Sequence, residues 1–290
     1  MQIVSKNLTF TYSAATKSLA FTALSGVTVT IPEGSFFGII GKTGSGKSTF
    51  VQHLNGLIKV QKNGGKLIVG EYDLTDKKCD YKKLRAKVGM MFQYPEHQLF
   101  AETVAEDVAF ALKNFASELT EEEKTARVRE ALALTGLDYD EFKERSPFEL
   151  SGGQKRRVAI AGVIVAKPEI LVLDEPAAGL DPKGKRDFLN LLVKLHGDFV
   201  KTVVIVSHDM NLVSEYCTQA AVFSDGKTLA CGTPKEIFSD GKTVSESGLD
   251  LPLVASLTEK LKEKGVVVES DFTVDGFVDG VCRALGGGAK

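Results

Sequence analysis

The chain has 290 residues, with 36 Lys and Arg against 38 Asp and Glu, and therefore a formal net charge of −2 at pH 7. Its 43% hydrophobic and 26% charged residues are typical of a globular protein with about two structural units. The near-neutral charge argues against a protein held on nucleic acid or lipid head groups by its overall charge, although it does not exclude a local basic patch. No apolar run approaches the roughly 20 residues that span a bilayer, and the N-terminus lacks the features of a signal peptide. We expect a cytosolic chain that meets a membrane only through a partner.

Short β-type runs alternate with turns from Ile3 to about Gly34. The compact apolar run Phe36–Ile40 then predicts a buried strand, and Phe50–Leu57 predicts a helix. Residues 41–49 join the two, so the order here is strand, loop, helix.

That loop reads Gly-Lys-Thr-Gly-Ser-Gly-Lys-Ser-Thr and fits the phosphate-binding P-loop pattern in the context that the pattern requires. Glycines let backbone N–H groups wrap around phosphates, and the following helix presents its positive end to them. Lys47 would neutralise charge on the β- and γ-phosphates, while the Ser48 hydroxyl would coordinate Mg²⁺. The loop predicts a nucleotide site whose binding residues are Gly41, Thr43, Gly44, Ser45, Gly46, Lys47, Ser48 and Thr49.

The stretch from about 93 to 166 predicts mostly helices, one of which opens at the capping-box sequence Thr120–Glu123. Beyond it, Ile170–Leu173 and Val203–Val206 are short apolar runs that predict buried strands. Buried strands that alternate with helices indicate an α/β fold, with a parallel sheet covered by helices on both faces.

Polar residues follow three of these predicted strands, at the sheet edge where α/β proteins place their ligands. Asp174 would hold Mg²⁺, and Glu175 would position or deprotonate an attacking water. His208 would face the γ-phosphate, although a histidine at the end of a strand is often structural. Gln93 follows the strand-like run Val88–Phe92 and, taken alone, could be a polar residue at a strand exit.

The sequence Leu150-Ser-Gly-Gly-Gln154 begins the long predicted helix Lys155–Ala166. Ser151 and Gln154 have capping-box spacing, so an ordinary helix N-cap is one interpretation. Two glycines in a first helical turn each cost roughly 1 kcal/mol relative to alanine, which a simple cap would not require. The alternative is an anion site at the helix N-terminus, completed when two subunits meet face to face.

The pattern changes beyond Gly226, where Thr233-Pro234 predicts the start of a short helix. From about Asp240 the chain is rich in turns, with one predicted helix at Leu253–Lys264 and a short β run at Val266–Val268. The tail Gly286–Lys290 is predicted to be disordered.

These motifs resemble those of the ATP-binding cassette (ABC) ATPases, in the same order, over residues 1 to about 240. The resemblance implies a P-loop NTPase fold with a RecA-like parallel-sheet core, an antiparallel β subdomain and an inserted helical subdomain at about 93–166. It assigns catalysis to Lys47, Gln93, Glu175 and His208, and Mg²⁺ binding to Ser48, Gln93 and Asp174. ATP and Mg²⁺ are the implied cofactors.

The same resemblance assigns roles across the subunit boundary. Residues 151–154 (Ser151, Gly152, Gly153 and Gln154) look like the signature that caps the γ-phosphate from the opposite subunit. Asp181, in Ala178-Gly-Leu-Asp181, resembles the residue that communicates between the two nucleotide sites. Tyr12 lies where the family stacks an aromatic ring on adenine, with a strand aromatic in a small core as the alternative.

A narrower resemblance is to the ATP-binding subunits of energy-coupling factor (ECF) vitamin transporters. It rests on Phe92–Phe100, Glu102–Val104, Asp107–Phe110 and Ser151–Gly162, and the sequence is most similar to the second of the two paired ATPases. Residues 241–290 fit the small C-terminal domain that these ATPases use in dimer contact.

The narrower resemblance implies a peripheral complex on the cytoplasmic face of the cell membrane. This chain would pair with a paralogous ATPase beneath a transmembrane coupling protein, which joins an interchangeable vitamin-binding membrane protein. The coupling protein would dock near Pro95–Phe100, with Leu99 and Phe100 as apolar anchors. Ordinary packing inside the helical subdomain is the other interpretation of this segment.

Two alternatives to the vitamin transporter stay open at this point. The first is a soluble ABC ATPase that acts on nucleic acid or the ribosome, although the chain has no second cassette, zinc ligands or basic surface that would favour nucleic acid. The second is the ATPase of a metal-ion or conventional importer. The identity of the transported vitamin lies outside this sequence, because another protein selects it.

Overall fold

The computed structural model describes residues 1–13 and 20–286, and among them ten strands and twelve α-helices. The strands are β1 (Ile3–Tyr12), β2 (Phe21–Ile31), β3 (Phe36–Ile40), β4 (Lys66–Val69), β5 (Tyr72–Asp73), β6 (Val88–Met91), β7 (Ile170–Asp174), β8 (Thr202–Ser207), β9 (Gln219–Ser224) and β10 (Lys227–Gly232). The helices are α1 (Lys47–Leu54), α2 (Tyr81–Lys87), α3 (Val104–Phe115), α4 (Glu121–Leu134), α5 (Tyr139–Phe142), α6 (Gly152–Ile164), α7 (Pro182–Asp198), α8 (Met210–Tyr216), α9 (Pro234–Ser239), α10 (Gly241–Ser247), α11 (Leu253–Glu263) and α12 (Val274–Ala284). Short 3₁₀ helices lie at Pro95–Gln98 and Pro147–Glu149.

The larger sheet has the order β10-β9-β3-β8-β7-β6, and its neighbouring strands are parallel except for the β9–β10 hairpin. In its centre Ile40 pairs with Ser207, and Val206 pairs with Asp174. The carboxyl ends of β3, β8 and β7 therefore lie side by side. This register brings together the P-loop, His208 and the Asp174–Glu175 pair.

The central strands β3, β7 and β8 are buried along their whole length, as their continuous apolar sequences predict. On β3, Phe36 and Ile40 pack into one core cluster, whereas Phe37 and Ile39 pack into the other. The first cluster contains the apolar faces of α3, α4, α6 and α7. The second contains α1 and the smaller sheet, whose order is β2-β1-β4-β5 with antiparallel neighbours. A RecA-like core, an antiparallel sheet and a helical insertion are all present, so the predicted fold class is confirmed.

The helical insertion has strong local start signals. Thr103, Thr120 and Ser151 each cap a helix whose third residue is Glu106, Glu123 or Gln154, and each forms the reciprocal capping box. The predicted helix from Thr120 is confirmed as α4. Helix α1 starts at Lys47, three residues before the predicted Phe50, because Gly46 already serves as its N-cap. It ends at Leu54, three residues before the predicted Leu57.

The region after β10 differs from the prediction in two ways. Val266–Val268 is not a strand, because the Val266 amide donates to the Leu261 carbonyl at 2.9 Å and closes the end of α11. Helices α10 and α12 are present where the sequence predicts no helix. The predicted helix at Leu253–Lys264 is confirmed as α11, and the end of the predicted disordered tail, residues 287–290, lies outside the described residues.

The C-terminal segment is packed against the rest of the molecule. Val244 is part of the first core cluster, and Leu249, Leu251 and Phe272 pack against it. Among the described residues no helix is both long enough and apolar enough to cross a membrane.

Candidate active site

The loop between β3 and α1 forms the floor of the site. Gly46 caps α1 with a left-handed backbone (φ 97°), and the helix begins at once with Lys47. The Lys47 ammonium folds back on its own loop and donates to the carbonyls of Gly41 at 2.7 Å and Lys42 at 2.9 Å. Burial lowers the pKa of Lys47, and the nearby Glu175 and Asp174 carboxylates oppose that shift. The lysine thus sits as a buried cation at the start of the helix.

A cavity of about 310 Å³ opens above this loop. Most of the predicted phosphate-binding residues border it, together with residues from β2 and from the ends of β7 and β8. The lining residues are Phe21, Ala23, Thr43, Gly44, Gly46, Lys47, Ser48, Thr49, Gln93, Glu175 and His208. The cavity therefore brings Gln93, Glu175 and His208 to the P-loop, as the sequence predicts.

Asp174 ends β7 beside Ser48 and is 6% exposed. Burial raises the pKa of its carboxyl group, an effect partly offset by a hydrogen bond from the Ser48 hydroxyl and by Lys47. Its Oδ1 atom is buried without a hydrogen-bond partner among the described residues. An unpartnered buried carboxylate oxygen next to a serine hydroxyl fits a magnesium site. Nowhere in the described ranges do three or more His, Cys, Asp or Glu residues form a dedicated metal cluster.

Glu175 and His208 form a direct pair across the ends of β7 and β8. The Nδ1 atom of His208 donates to Oε2 of Glu175 at 2.8 Å, and the His208 side chain is 72% exposed. Glu175 has a left-handed backbone (φ 48°), and its amide donates to the Val206 carbonyl at 3.1 Å. Such a conformation costs about 1–3 kcal/mol for a residue with a side chain. The hydrogen bond to β8 stabilises this backbone conformation, in which the Glu175 side chain lines the cavity.

The predicted signature lies apart from this cavity. Ser151 caps α6 by accepting from the Gln154 amide at 3.4 Å, while the Gln154 side chain accepts from the Ser151 amide at 3.0 Å. Gly152 and Gly153 are exposed, and a Cβ atom added to either would meet no atom of residues 1–13 or 20–286 within 4 Å. Packing within this chain therefore does not explain the two glycines.

A separate groove of about 480 Å³ joins the signature to Asp181. Gly152, Gly153 and Asp181 line it, and the Asp181 carboxylate caps α7 by accepting from the Gly184 amide at 2.8 Å. Arg156 is buried below this groove and donates to the Ala178 carbonyl at 3.0 Å. The sequence analysis did not single out Arg156, which lies in the signature helix and holds the loop that carries Asp181.

Aromatic residues near the cavity mouth differ from the prediction. The Tyr12 hydroxyl lies 3.2 Å from the Thr49 hydroxyl, and its ring meets Phe10 edge to face, but Tyr12 is not among the lining residues. Phe21, 57% exposed at the start of β2, lines the cavity instead. Sequence reasoning missed Phe21, because it stands apart from any motif and only the β1–β2 pairing brings it opposite Tyr12. The role of Tyr12 stays a prediction.

A P-loop, an acidic strand end and a helical insertion in this arrangement define an ATP-binding cassette ATPase. The family model for the ABC transporter matches residues 24–178, and the chain belongs to that family. Nucleotide binding and ATP hydrolysis, as predicted, follow from this membership.

Within the family, the chain belongs with the energy-coupling factor transporter ATP-binding proteins. It is 44% identical to Energy-coupling factor transporter ATP-binding protein EcfA2 of Clostridium acetobutylicum over 98% of each chain. It is 43% identical to the protein of the same name from Caldanaerobacter subterraneus subsp. tengcongensis over 99% of each. The predicted membership is confirmed over nearly the whole chain.

Solved structures support the same assignment. The cbiO1 protein of Clostridium perfringens, described as part of the ABC transporter complex cbiONQ, superposes with a TM-score of 0.72 at 36% identity, covering 89% of this chain and 98% of that one. The ATP-binding cassette MJ0796, solved as a dimer bound to ADP and Pi in a post-hydrolysis state, gives 0.70 at 31% identity, covering 80% of this chain and 98% of its own.

Proposed function

We propose that this chain hydrolyses ATP to power the uptake of a vitamin or another micronutrient through membrane subunits of an ECF transporter. One observation carries the chemistry: the Glu175–His208 pair lines the P-loop cavity, and the Ser48 hydroxyl of the same cavity is hydrogen-bonded to the buried Asp174 carboxylate. Membership among the ECF ATP-binding proteins supports the link to transport.

The cavity suits the triphosphate of ATP. The loop amides and the positive end of α1 attract phosphate oxygens, and the Lys47 ammonium supplies a buried positive charge. Ser48 and Asp174 would hold Mg²⁺, with Gln93 bordering the same cavity. When bound, the ion would offset charge on the β- and γ-phosphates.

Glu175 is the residue that we assign to the attacking water. Its carboxylate borders the cavity and accepts from His208, so the histidine fixes its orientation. The second ring nitrogen, Nε2, is left to donate toward the γ-phosphate when the imidazole carries a proton on both nitrogens. Proton acceptance by Glu175 and charge stabilisation by His208 would then act on the same phosphoryl group.

A second ATPase chain, paralogous to this one, would complete the site. Gly152 and Gly153 leave open space at the N-terminus of α6, and the groove they share with Asp181 lies outside the P-loop cavity. Since no described residue of this chain fills that space, we assign it to the γ-phosphate bound on the partner. In the same way, the signature of the partner would close over the cavity of this chain.

The coupling protein would dock beside the predicted segment Pro95–Phe100, with one correction to its anchors. Leu99 is 6% exposed and packs in the core, so it is not available as an anchor. Phe100 is 59% exposed and meets Phe110 of α3 edge to face at 4.8 Å, and the Asp107 carboxylate holds the Phe100 amide at 2.8 Å. Phe110 also borders an apolar groove of about 370 Å³ that includes Leu57 and Phe115.

The C-terminal segment 241–290 would contribute to pairing of the two ATPases. On α12, Val274 and Val278 are more than half exposed, and with Leu285 they follow the spacing of one helix face. This exposed apolar face supports a contact between chains, in a complex at the cytoplasmic face of the membrane. The substrate-binding membrane protein would be reached only through the coupling protein.

A Glu175→Gln variant tests the chemical part of the proposal. We expect it to bind ATP and to form a long-lived ATP-bound pair with the second ATPase, while turnover is abolished. Gly153→Asp, which places a carboxylate at the signature, should prevent that pair from forming and serves as the contrast. Wild-type turnover by Glu175→Gln would remove Glu175 from the mechanism.

The transport part is tested by reconstituting the complex in vesicles and measuring ATP-dependent uptake of candidate vitamins. A membrane extract made with a tagged chain separates the alternatives. Integral membrane proteins in the purified complex support a transporter, whereas ribosomal RNA without them would indicate the soluble ABC ATPase. Uptake of metal ions instead of vitamins would indicate the metal-ion importer.

A further inference from the structure

Helix α8 begins two residues after His208, with Asp209 between them as its N-cap. Asp209 caps it by accepting from the Asn211 amide at 2.9 Å and the Leu212 amide at 3.1 Å, and it also forms an ion pair with Lys185 of α7. Only Asp209 separates His208 from the first residue of this two-turn helix. The histidine backbone is therefore held between the end of β8 and the start of α8.

The other side of α8 carries the C-terminal segment. The Asn211 side-chain oxygen accepts from the Leu253 amide at 2.8 Å, the Ser214 hydroxyl donates to the Phe272 carbonyl at 2.5 Å, and the Glu215 carboxylate accepts from the Val274 amide at 3.1 Å. The three α8 residues follow the i, i+3, i+4 spacing of a single helix face. One face of α8 is thus joined by hydrogen bonds to three points of the C-terminal segment.

These bonds complete the starts of the two C-terminal helices. Pro252 at the N-cap of α11 makes no side-chain cap, so Asn211 supplies the acceptor that α11 lacks. Glu215 places a carboxylate at the positive end of α12, where negative charge is favourable. Phe272, whose carbonyl Ser214 holds, has a left-handed backbone (φ 69°) that a phenylalanine rarely adopts. The C-terminal segment is therefore built on α8.

A second contact leads from the C-terminal segment to the phosphate loop. Gly248 has a left-handed backbone (φ 58°), and a Cβ atom at this position would overlap the ammonium group of Lys42. Lys42 is the loop residue whose carbonyl accepts from Lys47. The segment after α10 consequently lies against the P-loop as well as against α8.

We propose that the C-terminal segment positions His208 through α8, with Asn211, Ser214 and Glu215 as positioning residues for ATP hydrolysis. Movement of the C-terminal segment, for example when its exposed face meets a second chain, changes the tilt of α8 and with it the His208–Glu175 distance. The inference rests on the proposed role of His208 at the γ-phosphate.

The test compares two double variants of the full chain. Asn211→Ala with Glu215→Ala removes both acceptors, whereas Asn211→Asp with Glu215→Gln keeps an acceptor at each position. Hydrogen exchange is measured on the amides of residues 208–212 in the isolated chain, and turnover and ATP affinity are measured with the second ATPase. Thr120→Ala, which removes the cap of α4 in the helical subdomain, is the control for a general loss of stability.

We expect the alanine pair to raise exchange at residues 208–212 and to lower turnover, each about tenfold, as the loss of two hydrogen bonds would do. ATP affinity should stay the same, and the acceptor-keeping pair and Thr120→Ala should behave like wild type. Faster exchange at residues 253–284 alone, with residues 208–212 and turnover unchanged, would overturn the proposal. A His208→Ala variant with normal turnover would instead refute the role of His208, whatever the exchange data show.

Discussion

His208 donates through Nδ1 to the Glu175 carboxylate at 2.8 Å, and this bond joins the carboxyl ends of two adjacent parallel strands. The two residues are separated by 33 positions in sequence, and the pairing of β7 with β8 brings their strand ends together. A bond of this kind leaves the second imidazole nitrogen and the exposed side of the ring free to meet a ligand.

Replacing His208 by alanine should lower ATP turnover by about 100-fold or more, because a positioned donor to the developing charge is lost. ATP affinity should change little, since the loop residues bind the phosphates. Steady-state hydrolysis and a nucleotide-binding titration check the two expectations separately. His196→Ala is the matched control, because this histidine lies against Phe36 and Gly34, away from the cavity. Equal turnover in both variants would contradict the assignment.

Asp174→Asn should stabilise the nucleotide-free chain at neutral pH by an amount on the order of 1 kcal/mol. Burial raises the pKa of this carboxyl above its ordinary value, so protonation favours the folded state and the carboxylate costs stability as pH rises. The advantage of asparagine should therefore shrink as pH falls from the raised pKa of the folded state toward the ordinary value of 3.8, and it should be lost below that value. Urea unfolding at neutral and acidic pH measures it.

When ATP and Mg²⁺ are added, Asp174→Asn should become less stable than wild type. Wild type would then gain stability from the bound ligand, and Asp174→Asn would gain much less, because the proposed metal ligand is lost. A variant that is less stable than wild type without nucleotide at neutral pH would show that the Asp174 carboxylate is not a cost to the apo fold.

Phe21→Ala should weaken ATP binding by about tenfold, with little effect on the binding of inorganic triphosphate, which lacks a base to stack. Tyr12→Ala tests the ring that the sequence motif predicts, and Tyr12→Phe removes only the hydroxyl that meets Thr49. Nucleotide titrations of the three variants decide which ring contacts adenine. Unchanged ATP affinity in Phe21→Ala would show that Phe21 lines the cavity without contacting adenine.

Gly41→Ala should abolish ATP binding and lower the free energy of unfolding by more than backbone strain alone. A Cβ atom there would overlap the Phe223 carbonyl and lie 2.6 Å from the Ser45 hydroxyl. Gly197→Ala is the matched control, because Gly197 (φ 94°) like Gly41 (φ 153°) has a positive φ, but no described atom lies within 4 Å of a Cβ added to it. That control should cost only about 1–2 kcal/mol and leave ATP binding intact. Equal effects would rule out the overlap as the cause.

Val278→Asp on α12 should weaken association with the second ATPase without lowering the stability of the isolated chain. The side chain is 51% exposed, so a carboxylate there meets water in the free chain and an apolar partner in the proposed pair. Val193→Asp on α7, at 46% exposure, is the matched control and should leave association unchanged. Analytical ultracentrifugation of mixtures measures both. If both variants associate like wild type, α12 is not part of the contact.

Structure was predicted correctly where the local sequence pattern and the packing of the fold favour the same conformation. Residues 41–49 and the strand ends at Asp174 and His208 carry both the motif and the apolar strands that position it. The C-terminal region was predicted less well, because packing decides there. Gly276 and Gly280 weaken the helical pattern of α12. A Cβ at Gly280 would lie 2.8 Å from a methyl group of Val268, so glycine allows α12 to pack closely against the segment before it. This contact cannot be read from the sequence pattern.

The partner of Arg156 and the lining position of Phe21 were beyond the sequence for the same reason. Each depends on which helices, strands and loops become neighbours in the fold. Arg156 and Ala178, which are hydrogen-bonded, are 22 positions apart in the sequence. Residues with a motif could be assigned a chemistry before the fold was known, whereas residues that support them could not.

The cap on α6 has a consequence for how the signature can act. The Ser151 oxygen accepts from the Gln154 amide, but a hydroxyl that accepts one hydrogen bond still has its own proton to donate. Capping a helix and holding an anion are therefore not competing interpretations of this serine. The same atom can keep the helix start in order at all times and turn its hydrogen outward only when a phosphate of another chain arrives, so that recognition there would require no rearrangement of the backbone.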